Sequence, residues 1–590
     1  MRILGISCFY HDAAAALLVD GRLVAASEEE RFTRVKHDPH FPENAIAFCL
    51  AQAGLNAADL DYVVFYERPL LKFERLLTCF LHEAPRSAAV FPRALSTWLS
   101  EKLWIRARLQ ERLGVPGARI LFSDHHLSHA ASAFLCSPFE SAAVLTVDGV
   151  GEWATASLGL GTSAGGKTRL KLLAEMRFPH SLGLLYSAFT ALLGFEVNEG
   201  EYKVMGLASY GEPRYRDRVD KVARLFADGS LELDLSYFSF PYHPSRTYHP
   251  RFAELFGGAR GPGDEFDFPD SPPAPGPRAL SRERSRRFAD VAASIQDFTE
   301  EALLRMCREL HERTGETRLC MAGGVAFNSV ANYRILRETP FRELFIQPAA
   351  GDAGGALGAA LFAENVVLGN PRRFTLPHAY WGRGIEAASA AETLRASGLK
   401  FRELGSEDAL VASASGRLLK GEVVGWAQGR SEWGPRALGN RSILADPRGK
   451  ETKRTVNLKV KYREPFRPFA PSVLEEAVGD WFHLPKDRAC LAAPYMLLVA
   501  PFEAGKGEAV PAVRHVDGTG RLQTVSKRAN PLYAKLIGAF QEGSGVPMVL
   551  NTSFNLKGEP IVDTPQDAIN TFKKSGLDAL YLGPFEATKA

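Results

Sequence analysis

Ile3-Leu4-Gly5-Ile6-Ser7-Cys8-Phe9-Tyr10-His11-Asp12-Ala13-Ala14-Ala15-Ala16-Leu17-Leu18-Val19 reads as two strands joined by a polar turn, and its recurrence decides the fold. Short apolar runs bounded by turn residues predict strands over Ile3–Ser7 and Ala13–Val19. Asp20-Gly21 then predicts a tight turn into a third strand, Leu23–Ser27. The same order returns at Ala142–Val147, the turn Asp148-Gly149-Val150-Gly151 and Thr155–Gly159. Two copies of strand, polar turn and strand predict a duplicated α/β architecture with a cleft between the copies. Each turn would project into that cleft.

Asp124-His125-His126-Leu127-Ser128-His129 precedes the second copy. On a helix, residues four apart lie one above the other, so His125 and His129 can face one ion. Ala130, Ala131, Ala133 and Phe134 would dock the other side of that helix in a core. Asp148 stands at the end of the following strand and Asp352 in a later glycine-rich turn, which gives two imidazoles and two carboxylates. Such a set suits Fe(II), Zn(II) or Mn(II), and the ligand types do not choose among them. His126 points off that face. A helical zinc protease needs a Glu at its place, which argues against peptide hydrolysis.

The 590-residue chain is too long for one core, and its 46% apolar and 24% charged composition is that of an ordinary enzyme. A net charge of +3 gives no overall drive toward nucleic acid or anionic membrane. Seven scattered cysteines without a CxxC pair read as reduced thiols, and no long apolar run predicts a membrane span. The expectation is a cytoplasmic protein with no membrane and no nucleic-acid partner.

Gly/Pro-rich residues from about 258 to 285 predict a surface insertion without regular structure. An amphipathic helix is expected from about 286 to 314, then a buried strand Leu319–Ala322 and a helix Val325–Glu338. Gly323-Gly324 between the last two, and Gly351-Asp352-Ala353-Gly354-Gly355-Ala356-Leu357-Gly358, would let a nucleotide approach the backbone near a helix start. The pattern breaks around 365–385. This places one domain at 1–370 and a second α/β domain at 385–590, with a helix over Glu407–Leu419 and strands Val423–Ala427 and Met548–Leu550.

Several polar motifs carry candidate chemistry. His11, in the first turn, has a side chain whose ordinary pKa suits proton removal from a hydroxyl nucleophile. Its company is Glu28-Glu29-Glu30-Arg31 and Lys36-His37 on nearby connections. In Asn198–Ala208, Lys203 could meet a phosphate and Gly206 pass a ribose closely. A dense cationic run from Arg430 to Arg467 is interleaved with Trp433, Gly434-Pro435 and Pro465-Phe466-Arg467-Pro468-Phe469. Arginines held among Pro and Phe suit a small phosphate better than a loose polyanion. Arg521 and Ser553 could add a charge and a hydroxyl.

These stretches together resemble the NodU/CmcH-type O-carbamoyltransferase family over essentially the full length. The resemblance is carried by His11–Ala15, Ser27–Phe32, Asp124–His129, Lys203–Ala208, Gly434–Ser442 and Arg463–Pro471. It implies an N-terminal duplicated actin-like ATPase (ASKHA) domain and a C-terminal YrdC-like α/β domain. It also implies two linked reactions: carbamoyl phosphate and ATP, with Mg(II), give carbamoyl-adenylate in the second domain. The carbamoyl group then passes to a hydroxylated small-molecule acceptor at the first domain's divalent metal, Fe(II) by preference. By position, Arg436, Lys461, Arg467, Arg521 and Ser553 match the carbamoyl-phosphate and ATP pocket. His125, His129, Asp148 and Asp352 match the metal ligands, and His11 the base, with Lys36 near the acceptor. Lys203, Gly206, Gly323, Gly324 and Asn328 are the expected nucleotide contacts of the first domain. Two other readings use the same folds: a fused tRNA threonylcarbamoyl transferase and a non-catalytic actin-like nucleotide sensor.

Overall fold

The computed structural model describes residues 1–589 other than 101, 244, 270–277 and 465, so part of the expected insertion and Pro465 lie outside the described residues. The chain forms two compact units: Met1–Ala25 with Pro39–Thr375, and Ala26–Asp38 with Leu376–Ala590.

In the first unit, β1 (Arg2–Ser7), β2 (Ala14–Val19), β3 (Arg22–Glu28), β4 (Tyr62–Phe65) and β5 (Ile120–Phe122) form a sheet ordered β3-β2-β1-β4-β5. The β1/β2 pair is antiparallel, whereas β1/β4 and β4/β5 are parallel. The second sheet repeats this plan. β6 (Ser141–Val147), β7 (Ala154–Ala164) and β8 (Lys167–Arg177) are antiparallel neighbours. β9 (Ala223–Leu225) and β10 (Leu231–Leu233) make a small separate ladder. β11 (Arg318–Ala322) and β12 (Glu343–Ile346) then add in parallel, giving β8-β7-β6-β11-β12. The duplication expected from the two strand–turn–strand runs is therefore present, extended by two parallel strands in each copy.

β1 and β2 are buried almost throughout, which is why their sequences are continuous rather than alternating. Helix Asp352–Phe362 (DAGGALGAALF) covers β1 and also packs on helix His125–Phe134. Its approach is backbone to backbone. A Cβ on Gly358 would lie 1.9 Å from the Ser128 carbonyl oxygen, and one on Gly5 1.9 Å from that of Ala356. These glycines thus serve protein packing, and for Gly354, Gly355 and Gly358 this corrects the expectation of a nucleotide passage. Gly358→Ala is expected to destabilise by about 1–3 kcal/mol or more, since no flexible side chain can yield. Thermal unfolding checks this, and an unchanged midpoint would contradict it.

Two further expectations need correction. The long helix runs Arg282–Thr314, starting earlier than 286 because Ser281 caps it by accepting from the Arg284 amide. The insertion, in its described part, is not a purely surface segment. Arg260, Phe266, Phe268 and Leu280 are buried, and Arg260 donates from Nε to the Leu193 carbonyl at 2.5 Å.

The second unit contains β13 (Tyr380–Gly384), β14 (Lys400–Glu403), β15 (Val424–Ala427), β16 (Arg430–Glu432), β17 (Arg441–Ala445) and β18 (Ala470–Leu474). It continues with β19 (Ala489–Cys490), β20 (Leu498–Pro501), β21 (Thr519–Val525), β22 (Met548–Ser553), β23 (Ala579–Leu582) and β24 (Phe585–Thr588). Nine of these build a mixed sheet ordered β14-β24-β23-β15-β17-β22-β18-β21-β20, and β13 pairs with β16. The helix Glu407–Leu419 forms as expected.

Residues 26–38 pack with this second unit, although the sequence alone left them in the first domain. Glu28 accepts from the Gly434 amide and Arg31 donates to the Gly434 carbonyl, both at 2.7 Å. Arg34 donates to the carbonyls of Ile561 and Pro560 at 2.6 and 2.8 Å. Burial pushes the Glu28 carboxyl up to about 7, against the pull of Arg31. Arg31 is also an ion-pair partner of Glu30, at 3.3 Å. Arg31→Ala, which strands two buried carboxyls, is expected to cost about 3–5 kcal/mol. A denaturant titration of the whole chain reads this out, and an unmoved midpoint would count against the clamp.

Among the described residues, no helix is long and apolar enough to cross a membrane.

Candidate metal centre and cationic pocket

The four expected metal-ligating residues meet. His125, His129, Asp148 and Asp352 each bring one donor atom within 4.8 Å of all the others. The two Nε2 atoms are 3.0 Å apart, and His125 Nε2 is 3.1 Å from an Asp148 carboxylate oxygen. An Asp352 oxygen lies 3.6 Å from His125 Nε2 and 3.4 Å from His129 Nε2. Ligands about 2.1 Å from one ion stand roughly 3.0–3.4 Å apart at octahedral or tetrahedral angles, so this donor set fits a divalent metal. The two His side chains and Asp352 are almost wholly buried, a costly arrangement for two carboxylates without a cation.

Each ligand is placed by a different element. The His pair lies on the helix that follows β5, Asp148 directly follows β6, and Asp352 opens the helix after β12. Gly324 donates its amide to Asp148 at 2.9 Å, and Gly323, at φ 94°, lies against the Val147 backbone. Glu152, which sequence reasoning missed, accepts from the amides of His125 and Arg68 at 3.1 and 2.7 Å. The signal was present in Gly149-Val150-Gly151-Glu152, a turn ending in a carboxylate. His126 turns away and meets Thr146 Oγ1 at 2.6 Å; burial, with the neighbouring imidazoles, pushes it down to about 3. It is a neutral core histidine.

His11 stands beside this group, its Nε2 3.8 Å from Asp352 and its Nδ1 2.9 Å from Asp12. Burial alone would push the imidazole down, but Asp352 and Asp12 outweigh it and hold it up to about 9. The turn that carries it is strained, with Phe9 at φ 74° and Asp12 at φ 51°. Lys203 lies over the Phe195 ring at 5.7 Å, and Gly206 is within helix Glu201–Ala208. Asn328 caps helix Ser329–Glu338 and exchanges hydrogen bonds with Gln296 at 2.9 and 3.0 Å.

In the second unit, Lys461 and Ser553 meet inside a cage of oxygens. Lys461 Nζ donates to the carbonyls of Ser553 and Asn555, both at 2.8 Å, and to Asn555 Oδ1 at 2.5 Å. Asn555 was quoted in the sequence motif but not singled out. Burial holds the Lys461 amine well below the ordinary lysine range, and repulsion from Arg463, Arg467 and Lys36 adds to it. Lys36 and Arg467 therefore belong to one cationic cluster with Lys461.

Arg521 lies on β21, and Arg436 lies in the loop between β16 and β17. On strands, residues two apart share a face. Arg521 shares one with Gln523, and Ser553 one with Asn551, while Asn551 Nδ2 donates to Gln523 Oε1 at 3.0 Å. The backbone after Arg436 lies over that face, its Ala437 and Leu438 carbonyls accepting from Asn551 and Gln523 at 3.2 and 2.8 Å. Glu432 Oε1 fixes this loop by accepting from the amides of Leu438, Asn440 and Arg441. Around Lys461, the charges of Arg463, Arg467 and Lys36 make a local surplus of positive charge, which suits phosphate groups.

Residues 2–361 match the family described as Carbamoyltransferase N-terminus, and residues 415–589 match Carbamoyltransferase C-terminus. An uncharacterized protein of Synechocystis sp. is 45% identical over 100% of this chain and 96% of its own length. Nodulation protein NolNO of Sinorhizobium fredii is 40% identical over 98% of this chain and 79% of its own. The 3'-hydroxymethylcephem-O-carbamoyltransferase of Amycolatopsis lactamdurans is 34% identical over 50% of this chain and 52% of its own.

Proposed function

The chain belongs to the carbamoyltransferase family and is an enzyme of that type, and from this we propose a two-site O-carbamoyl transfer. The cationic cluster around Lys461 binds carbamoyl phosphate and ATP. Carbamoyl phosphate is hydrolysed to carbamate and phosphate, and carbamate attacks the α-phosphorus of ATP, releasing pyrophosphate and leaving carbamoyl-adenylate. The first unit then passes the carbamoyl group to an alcohol: the alcohol oxygen bonds to the carbamoyl carbon, AMP leaves with the former bonding pair, and the hydroxyl proton goes to a base. Carbamate decomposes in water, so a closed pocket favours its capture.

Within the first unit, His125, His129, Asp148 and Asp352 would hold the divalent ion, which when bound supplies charge stabilisation and orientation. With the Asp352 charge taken up by a cation, the pull that holds the His11 proton is relieved, and His11 is placed to take the hydroxyl proton at Nε2, with Asp12 holding Nδ1 and so the orientation of the ring. In the second unit, Lys461, Arg467, Arg436 and Arg521 bind and orient phosphate oxygens, and Ser553 offers a hydroxyl. The observation that carries this reading is the convergence of four ligands within 4.8 Å beside His11.

The test is acceptor-independent exchange of labelled pyrophosphate into ATP in the presence of carbamoyl phosphate, followed by a mass search for carbamoylated alcohols. Exchange that needs carbamoyl phosphate supports the reading. Its absence from metal-replete protein overturns it.

A further inference from the structure

Arg75 is 8% exposed, on helix Pro69–His82, yet it makes no hydrogen bond or ion pair to any described residue. Its Nε is fully buried without a partner, and its guanidinium lies over the Phe178 ring at 5.0 Å. A buried guanidinium kept for structure normally has a carboxylate against it, because desolvated donors left unmade are costly. The nearby carboxylates are engaged elsewhere. Glu67 takes Lys72 Nζ at 2.5 Å, and Glu152 accepts the amides of Arg68 and His125. The Arg75 donors are thus left without an acceptor from either carboxylate.

Its position explains why that matters. Lys72 Nζ lies 5.1 Å from the centre of the Tyr10 ring, and that ring is 4.6 Å from the His11 ring. Tyr10 is 44% exposed, so solvent reaches this wall. Burial around its hydroxyl pushes the phenol up to about 12, with Asp352 and Asp148 adding and Arg75 opposing. The same hydroxyl therefore feels the metal-ligand carboxylates and Arg75 together. Arg75 is one helical turn from Lys72, the residue that lies over Tyr10 next to His11.

We propose that Arg75 is a specificity-determining residue that binds a carboxylate on the acceptor, with Phe178 and Tyr10 as the walls, so that the acceptor is a hydroxy acid. This rests on the hydroxyl-transfer reading above. A guanidinium fork matches one carboxylate with two parallel hydrogen bonds. Lys72 is paired with Glu67, and with Glu67 and Glu152 both nearby a phosphate dianion would meet more repulsion than a carboxylate, which carries one charge.

Calorimetric titration of the full metal-loaded chain with 4-(hydroxymethyl)benzoate, its amide and inorganic phosphate tests this. The wild-type chain is expected to bind the carboxylate about tenfold or more tightly than the amide. Arg75→Met should remove that preference and Arg75→Lys restore part of it. Arg75→Met should also melt no lower than wild type, since it removes an unpaired buried charge; a structural arginine would show the opposite. Equal binding of carboxylate and amide, a preference that survives in Arg75→Met, or phosphate binding tighter than carboxylate through Arg75 would each overturn the proposal. Pyrophosphate exchange is run on the same samples and should be unchanged in both variants. Failure of exchange in wild type would sink the carbamoyl-transfer reading, and with it the acceptor role, while the titration would still decide whether Arg75 binds carboxylates.

Discussion

His129→Ala is expected to cut carbamoyl transfer to alcohols by roughly 1,000-fold while leaving pyrophosphate exchange within about twofold of wild type. Stabilisation by a bound divalent ion is worth several kcal/mol. About 4 kcal/mol corresponds to roughly 1,000-fold in rate. His129 is fully buried and its Nε2 meets both the partner imidazole and Asp352, so no neighbour can take its place. Metal content by elemental analysis should fall in parallel. The contrast with His126→Asn is the control: His126 faces Thr146, and its loss should lower stability without emptying the centre. Transfer that survives in His129→Ala would remove the metal group from the mechanism.

Lys461→Met should have the opposite profile. Exchange is expected to fall by about 100-fold or more, the scale of a lost charge-stabilising donor, while metal content stays at the wild-type level. The amine is buried among carbonyl oxygens of Ser553 and Asn555, so its removal leaves acceptors unsatisfied. A stability loss of about 1–3 kcal/mol is therefore expected as well. Thermal unfolding run beside the exchange assay separates the two effects, with Ser553→Ala as the milder probe. Exchange at the wild-type rate in folded Lys461→Met would show that phosphate chemistry does not occur there.

The parts legible in the sequence are those written in local periodicity. Strand, polar turn, strand was readable twice, and the i, i+4 spacing of His125 and His129 placed both on one helix face. Asp148 followed from its strand end. Asp352 was found, but the glycines around it were misread, because close approach to a ligand and close approach to another backbone leave the same residue in the chain. The start of the long helix was obscured by Ser281-Arg282-Glu283-Arg284-Ser285-Arg286-Arg287, a polar first turn without apolar periodicity. The clamp of Glu28 and Arg31 on Gly434 joins residues more than 400 positions apart, and no local pattern encodes such a pairing. Arg75 was invisible for another reason: an arginine on an amphipathic helix reads as solvated until its burial is seen.

The helix that carries Asp352 sets the order in which the metal centre can be completed. His125 and Asp148 are synthesised early, yet the fourth ligand follows some two hundred residues later, at the head of a helix that must seat backbone to backbone on β1 and on helix His125–Phe134. With backbone against backbone at Gly5 and Gly358, little there can cushion a partial fit, and that helix is either docked or absent. A nascent chain ending before residue 352 holds three donors at most, and ion affinity rises only when the last one arrives. Loading is thereby a report that the first unit has closed, and an ion acquired at that moment also resists its reopening.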